Sequence, residues 1–344
     1  MSHDLPAGLR RSDVHGPGYG RRGAPDGRFV YLDLGGAMLT DASELDRIHR
    51  LVIPPAWGDV WISPDASGHI QATGVDTRGR RQYRYHALWR AERDAEKFGH
   101  MLLFARALPQ LRLACRAGLS RPHLDRDRVC ACAVRVTELG LFRIGSERYA
   151  LEDHTYGVTS LEKRHLRVGP RQAIFDYTAK FGKRRTVRIV DRDVLHTLRA
   201  LRREGDEEMP ALFTYRHGER WHQLTTEELG AYVREQAGGH FTVKEFRTWN
   251  ATLLMALALS SVPPTNSLRL RRRAVVAGIR EVAAWLGDTP AVARSSYIDP
   301  AVIELFETTG ALGDLAPAPP ALPADPQAEV AVVRALTHLH VASS

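Results

Sequence analysis

The sequence predicts an α+β protein: a small β-rich N-terminal domain, then a mainly α-helical domain that contains a small β-hairpin. Over residues 28–86, short apolar runs alternate with turn signals such as Gly35-Gly36, which is typical of an antiparallel sheet with hairpins. Further along, apolar residues recur at helical spacing over 89–118 and 126–141. This change of period indicates the passage from a sheet domain to a helical one.

Three local signals refine this outline. A short helical pattern over residues 43–50 interrupts the strands of the first domain. Residues 173–178 and 186–190 have the composition of two strands joined by a tight connection, and they predict the hairpin of the second domain. Thr242 and Glu245 have the spacing of a capping box, which predicts that a helix begins there.

The chain of 344 residues is long enough for two domains with their own cores. We predict an N-terminal domain over residues 1–97 and a second domain over residues 98–311. Residues 312–344 begin with an Ala- and Pro-rich stretch, which indicates a linker that leads to a short terminal helix.

The charge favours a polyanionic partner. The chain has 48 Lys and Arg against 40 Asp and Glu, a formal net charge of +8. Arginine predominates, and its planar guanidinium can donate two hydrogen bonds to one phosphate without ever losing its charge. On charge alone, an anionic membrane or an acidic protein also fits.

The cysteines predict neither a disulfide framework nor a metal site. Cys115, Cys130 and Cys132 are an odd number, which suits buried thiols in a reducing compartment. Cys130 and Cys132 are separated by one residue, whereas zinc sites usually separate such a pair by two to four. We therefore expect no metal and no cofactor. The N-terminus has no apolar signal-peptide segment, and the expected location is the cytoplasm.

A segment near the end of the first domain mixes cations with groups that can reach base edges. Such a segment could bind duplex DNA as a β-ribbon, with arginines on phosphates and an amide on an adenine edge. Taken alone, these residues favour the other reading, a charged and solvated hairpin. The candidate DNA-binding residues are Arg80, Arg81, Gln82, Tyr83, Arg84 and Tyr85.

A second basic cluster consists of Arg269 and residues 271–273. It follows the helix-breaking pair Pro263-Pro264. Its two readings, a helix start that contacts phosphate and a solvated helical face, remain equally open.

Exchange of phosphodiester bonds in DNA needs a nucleophile, a proton donor for the departing 5′ oxygen, and positive charge on the non-bridging oxygens. Metal ions often supply that charge. The sequence has no obvious acidic cluster for magnesium, but it has isolated Arg and Lys residues in distinctive local contexts. Fixed cations can stabilise the developing charge instead.

Several separated motifs occur together and in one order. They are IPPAWGDVWISPD (53–65), LFRIGSERY (141–149), YTAKFGKRR (177–185), VKEFRTWNAT (243–252) and GDTPAVARSSYIDP (287–300). In these motifs the chain resembles the poxvirus-like bacterial type IB DNA topoisomerases over nearly its full length. The resemblance implies a tyrosine recombinase-like catalytic fold for the second domain.

The resemblance also implies roles for individual residues. Tyr297 matches the nucleophile, which joins the 3′ phosphate of the cut strand. Arg143 and Arg247 match the two catalytic arginines, which hold the non-bridging oxygens and stabilise the phenolate. An unassisted phenol, with a pKa of about 10, is a poor nucleophile at neutral pH.

The proton donor is matched by a lysine at the tip of the predicted hairpin. Lys180 fits the family pattern better than its neighbour Lys183, which we assign to DNA binding. Lys244 matches an accessory cation. It lies three residues before Arg247, so both can face one phosphate from the same side of a helix.

One position departs from the family. Nine residues before the tyrosine, where the family usually carries His or Asn, this chain has Asp288. An ionised carboxylate has no proton to donate to a phosphate oxygen. Asp288 is therefore protonated, or turned away, or a cause of weaker catalysis. Because Pro290 follows closely, Asp288 also suits the N-cap of a helix, or the position next to it.

The implied function is relaxation of supercoiled DNA by a type IB topoisomerase, independent of metal and ATP. The expected protein is a monomer that closes around duplex DNA in the nucleoid, without a nucleotide or a membrane as partner. A tyrosine recombinase is the nearest alternative, but Lys244 stands where those enzymes usually carry His. A DNA-binding homologue with weakened catalysis is the other, and Asp288 favours it.

Overall fold

The computed structural model describes residues 4–24, 27–204, 208–312, 315 and 320–342. The chain divides into two compact units between Phe98 and Gly99. The predicted α+β class is confirmed, with a sheet in the first unit and mostly helices in the second. No helix in the described ranges is both long enough and apolar enough to cross a membrane.

The first unit is built on an antiparallel sheet of five strands in the order β2-β1-β3-β4-β5. Its core contains Ile48, Ile53, Ile62 and Ala72. The strands and the helix are β1 Tyr19–Gly23, β2 Phe29–Leu32, α1 Ala42–Arg50, β3 Gly58–Ile62, β4 Ile70–Val75 and β5 Arg81–Tyr85.

The predicted short helix is confirmed. It begins at Ala42 because Asp41 caps it, with the carboxylate accepting from the amides of Ser43 and Glu44. Between β4 and β5 the chain turns through Gly79, whose φ of 74° favours glycine. This turn directs the basic segment of β5 back along the sheet.

The second unit packs its helices around α3 and α7, which are buried along most of their length. Cys115, Cys130 and Cys132 are buried free thiols, as predicted. Helix α2 Ala87–Leu119 begins in the first unit and continues into the second. The other helices are α3 Arg126–Gly140, α4 Glu147–Glu152, α5 Arg192–Glu204, α6 Thr226–Ala237, α7 Val243–Ser260, α8 Leu268–Leu286, α9 Pro290–Ser296, α10 Pro300–Thr309 and α11 Pro326–Ala342. The strands are β6 Leu166–Val168, β7 Ala173–Ala179, β8 Lys183–Ile189, β9 Thr214–His217 and β10 Arg220–Gln223.

The predicted hairpin and capping box are both confirmed. Strands β7 and β8 pair over seven residues, from Ala173↔Ile189 to Ala179↔Lys183. The connection is therefore shorter than predicted, because Ala179 and Lys183 belong to the ladder. Helix α7 begins after Thr242, whose hydroxyl and the Glu245 carboxylate form the reciprocal cap.

The C-terminal stretch contains a helix of 17 residues, α11. Arg112 on α2 donates to Glu329 on α11 at 2.7 and 2.8 Å, and to Glu138 on α3 at 2.7 Å. Both carboxylates are nearly buried, with side chains 11% and 4% exposed. One guanidinium therefore holds three helices together.

We expect Arg112→Met to destabilise the second unit by roughly 3–5 kcal/mol, because it leaves buried carboxylates without their shared cation. Urea unfolding measures the loss. Arg116→Met is the matched control, since Arg116 lies one turn further along α2 and is exposed. Equal stability of the two variants would show that the ion pairs contribute little.

Candidate active site

Four of the residues named from the sequence lie together in the second unit. The carboxylate of Asp288 accepts from Nη2 of Arg143 at 2.5 Å through one oxygen and from Nη2 of Arg247 at 2.7 Å through the other. The guanidinium carbon of Arg247 lies 4.9 Å from the centre of the Tyr297 ring. Two cations, one anion and one phenol thus share a single site.

Arg247 is the most deeply buried member of this group. It lies in the second turn of α7, and its side chain is 2% exposed. Its guanidinium donates to the carbonyl oxygens of Leu141 and Leu286, the latter at 3.1 Å. Burial lowers the pKa of Arg247, although the facing Tyr297 opposes this effect. The buried cation is held by backbone carbonyls as well as by Asp288.

Arg143 lies in the loop that follows the end of α3. Leu141 ends the helix in the left-handed conformation, with φ 51°. The backbone of Arg143 is held against a later part of the chain, because the amide of Val158 donates to the carbonyl of Arg143 at 2.8 Å. A Cβ on Gly157 would meet the backbone of Gly145 at 2.3 Å, so this close approach requires glycine. The Arg143 side chain, 23% exposed, can be reached from solvent.

Arg185 supports the site, and the sequence analysis missed it. From β8 its guanidinium donates to Gly140 O at 2.7 Å, Leu141 O at 2.9 Å and Trp285 O at 2.8 Å. It therefore joins the segment that carries Arg143 to the one that carries Asp288. The sequence did contain a signal that could have identified it. Arg185 alternates in phase with Val187 and Ile189, so it lies on the inward face of β8.

Tyr297 lies between α9 and α10. Its amide donates to Ala293 O at 3.1 Å, and its carbonyl accepts from the hydroxyl of Thr252 at 3.3 Å. Burial raises the pKa of the phenol, but the nearby guanidinium groups of Arg247 and Arg143 outweigh burial and leave the pKa below its usual value. The two guanidinium groups thus make the phenol easier to deprotonate than an ordinary tyrosine.

Asp288 is not the N-cap of α9. That position belongs to Thr289, whose hydroxyl accepts from the amide of Val292 at 3.3 Å. Asp288 is the residue next to the N-cap, which was the other position predicted for it. The side chain of Asp288 is 4% exposed. The expectation that Asp288 turns away is wrong, because the carboxylate bridges the two arginines.

The lysines named from the sequence lie on the surface. Lys180 is exposed at the hairpin tip, with Nζ 5.1 Å from the ring centre of Phe181. Lys183 is exposed at the start of β8, and Lys244 at the start of α7. Within the described residues, no hydrogen bond or ion pair joins any of them to the four-residue cluster.

In the first unit, three of the candidate DNA-binding residues form hydrogen bonds with other residues of the protein: Arg80, Gln82 and Arg84. Arg80 donates to Asp76 at 2.8 Å, and the amide of Gln82 donates to the same carboxylate at 2.9 Å. The hydrogen bond from Arg80 is the main reason that the pKa of Asp76 falls to about 2. Arg84 donates to Val52 O at 2.7 Å. Binding to an adenine edge would require Gln82 to leave Asp76.

The other set lies on the exposed face of β5. Arg81, Tyr83 and Tyr85 alternate with the partly buried positions. The two tyrosine rings are stacked, with centres 6.0 Å apart and planes 17° apart. This face offers a cation and two aromatic surfaces to a ligand.

The second basic cluster lies on α8, and neither reading of the sequence fits all of it. Arg271 is buried and donates to Thr265 O at 2.8 Å and to the carbonyls of Glu307 and Thr308 at 3.0 and 2.8 Å. It is thus a structural residue that ties α8 to the end of α10. Arg269, Arg272 and Arg273 are exposed.

The chemistry of the cluster is that of fixed cations beside a polarised phenol. Two guanidinium groups already hold two oxygens of one anion, and the phenol is adjacent. In the described ranges, no group of three or more His, Cys, Asp or Glu side chains is placed to hold a metal ion. The guanidinium groups of Arg143 and Arg247 supply the positive charge in this arrangement.

Comparison with known proteins gives matches to both units. Residues 86–309 match the family described as eukaryotic DNA topoisomerase I, catalytic core, and residues 28–76 match the bacterial DNA topoisomerase IB, N-terminal domain.

The similar proteins include viral and yeast enzymes. DNA topoisomerase 1B of Acanthamoeba polyphaga mimivirus is 29% identical over 81% of this chain and 85% of its own length. DNA topoisomerase 1B of vaccinia virus (strain Copenhagen) is 18% identical over 68% and 71%. DNA topoisomerase 1 of Schizosaccharomyces pombe is 27% identical over 43% of this chain and 17% of its own. Because the catalytic-core match alone covers more than half of the chain, this protein belongs to the type IB DNA topoisomerase family.

Proposed function

We propose that this chain relaxes supercoiled duplex DNA by cutting and resealing one strand, with Tyr297 as the nucleophile. The observation that carries the proposal is the arrangement of Arg143 and Arg247, which bind two oxygens of one anion beside the tyrosine ring. A DNA phosphate offers the same pair of oxygen acceptors, in its non-bridging oxygens. The Asp288 carboxylate occupies the place where that phosphate binds.

The proposed reaction uses this arrangement. The phenol of Tyr297 loses its proton to solvent as its oxygen attacks phosphorus, the bond to the 5′ oxygen breaks, and that oxygen takes up a proton. The products are a 3′-phosphotyrosine and a 5′-hydroxyl end. Arg247 lowers the pKa of Tyr297 in the free protein, and with Arg143 it stabilises the charge that develops on the non-bridging oxygens.

The proton comes from a lysine in this proposal. Lys180 is at the tip of the β7–β8 hairpin, where a long amine can enter a DNA groove and reach the 5′ oxygen. Lys244 is an accessory cation at the start of α7. Resealing is the reverse reaction, and it needs no ATP because the phosphotyrosine keeps the energy of the phosphodiester bond. It needs no metal in this proposal because the arginines supply the positive charge.

DNA binding would involve the exposed face of β5 and the hairpin. Arg81 would neutralise phosphates while Tyr83 and Tyr85 pack on sugars, and Lys183 would add a phosphate contact. Arg80, Gln82 and Arg84 would join after release from their internal partners. We propose a monomer that acts on duplex DNA in the cytoplasm, on the nucleoid, with an affinity that falls steeply as salt rises.

Tyr297→Phe should abolish relaxation of a supercoiled plasmid in excess EDTA without ATP, because the attacking oxygen is gone. Binding to duplex DNA should remain. Tyr215→Phe is the matched control, since Tyr215 lies on β9 and its hydroxyl donates to Glu228 at 2.7 Å. Relaxation by Tyr297→Phe at the natural rate would exclude Tyr297 as the nucleophile.

Asp288→Asn should speed single-turnover cleavage roughly 10- to 100-fold. The amide can donate to a non-bridging oxygen, and it no longer competes with phosphate for two arginines. The same change should lower the free energy of unfolding by roughly 3–5 kcal/mol, because Arg247 loses its buried counter-charge. Cleavage rates and urea unfolding are measured on the same preparations, and Asp288→His should speed cleavage as well.

Glu281→Gln, an exposed position on α8, is the control for loss of one negative charge. If both Asp288 variants stay folded and cleave no faster than the natural protein, the carboxylate does not restrain catalysis. The second candidate function, a homologue that binds DNA with weakened catalysis, is favoured by the same ion pairs. It predicts that the natural protein binds DNA without a detectable adduct and that Asp288→Asn restores cleavage.

A further inference from the structure

The C-terminal helix contacts the segment that carries the tyrosine. His340 on α11 donates from Nε2 to the carboxylate of Asp299 at 2.8 Å. Asp299 lies two residues after Tyr297, at the N-cap of α10. Its side chain is 1% exposed, whereas that of His340 is 24% exposed. A buried carboxylate needs a partner, and His340 provides it.

Asp299 is tied to Tyr297 through one hydroxyl. The backbone amide of Asp299 donates to Oγ1 of Thr252 at 3.0 Å, and the same hydroxyl donates to the carbonyl of Tyr297 at 3.3 Å. Thr252 is fully buried on α7, the helix that also carries Arg247. A displacement of Asp299 would therefore shift the backbone of Tyr297 relative to Arg247.

The carboxylate of Asp299 also fixes the turn that follows the tyrosine. Its Oδ1 accepts from the amide of Ala301 at 3.0 Å, while Oδ2 binds His340. The two oxygens thus have separate partners, one in α10 and one in α11. Loss of His340 would leave Oδ2 in a nearly dry setting, and the carboxylate would have to move toward solvent or take up a proton.

Helix α11 has other anchors besides His340. Glu329 binds Arg112, Thr337 accepts from Arg106 at 2.9 Å, and Val332 and Leu336 are buried. The helix should therefore stay docked when residue 340 is changed. An effect of such a change can then be assigned to the contact with Asp299.

We propose that His340 is a positioning residue for the nucleophile, which holds Tyr297 beside Arg247 through Asp299 and Thr252. The proposal rests on the proposed role of Tyr297. His340 touches neither the phosphate nor the phenol in it, and acts through the backbone of the tyrosine segment. It gives the C-terminal helix, which lies beyond the matched catalytic core, a part in the reaction.

The contact should depend on pH. The hydrogen bond with Asp299 raises the pKa of His340 above its usual value, although partial burial opposes it. A group with a raised pKa contributes its stabilisation below its unfolded-state pKa, and the contribution is lost as pH rises through the folded-state pKa. Asp299, at the N-cap of α10, is a charged partner in contact with His340. Thr252 from α7 does not titrate, and His338 on α11 itself is exposed.

The test is the single-turnover rate of adduct formation on duplex DNA, between about pH 6 and about pH 9. The ratio of the natural rate to that of His340→Ala removes the pH dependence that the two proteins share. We expect a ratio of about tenfold at the acid end, because small displacements of a reacting group cost about that much or more. The ratio should fall as pH rises but stay above one, because the neutral ring loses its charge and can still donate from Nε2. Affinity for DNA should not change.

Two further variants separate positioning from docking. His340→Gln keeps a donor that does not titrate, so its rate relative to His340→Ala should be raised equally at every pH. His338→Ala changes an exposed histidine on the same helix and should behave as the natural protein. A pH-independent ratio for His340→Ala, or an equal loss in His338→Ala, would overturn the proposal.

Failure of the proposed function gives a different result. If the natural protein forms no adduct, or Tyr297→Phe forms one, the role of Tyr297 is wrong and the role of His340 falls with it. If the natural protein forms the adduct through Tyr297 and His340→Ala matches its rate at every pH, only the positioning role is wrong.

Discussion

The ion pairs of Asp288 with Arg143 and Arg247 are the interaction on which the site depends. Arg247 is almost fully buried, and a buried cation is unfavourable unless it is paired and hydrogen-bonded. Arg143 and Arg185 bring two more positive charges into the same small volume. The carboxylate lets these cations remain close together before DNA arrives. A positive site that is already assembled need not reorganise during the reaction.

The fold contributes the remaining partners from the ends of two helices. Gly140 and Leu141 lie at the C-terminus of α3, while Trp285 and Leu286 lie at the C-terminus of α8. The last carbonyls of a helix lack intrahelical donors and carry partial negative charge. Arg185 and Arg247 donate to these carbonyls, so each guanidinium satisfies helix ends while it is held in place. The arginines and the two helix ends thus stabilise each other.

Local signals made part of this predictable from sequence. The capping box at Thr242, the short helix α1 and the hairpin β7–β8 all depend on residues that are neighbours in the chain. Motifs identified Arg143, Arg247 and Tyr297 as candidates, but their meeting depends on tertiary packing. The role of Arg185 could not be predicted, because the backbone carbonyls to which it donates lie 44 to 100 residues away. The packing of α11 against the rest of the second unit could not be predicted either, because its partners Arg106 and Arg112 lie more than 200 residues away in the chain.

The presence of Asp288 changes what the two arginines contribute. When a phosphate replaces the carboxylate, cations condensed on the DNA are released, but the displaced carboxylate of Asp288 loses its partners, and its negative charge offsets part of that release. Their contribution to the salt dependence of DNA binding should therefore be reduced, and that dependence should come mainly from exposed cations such as Arg81 and Lys183. In the proposed reaction, Arg143 and Arg247 would then act mainly on the transition state, in which the phosphoryl oxygens carry more charge than a carboxylate does. Interactions that are stronger in the transition state than in the ground state accelerate a reaction.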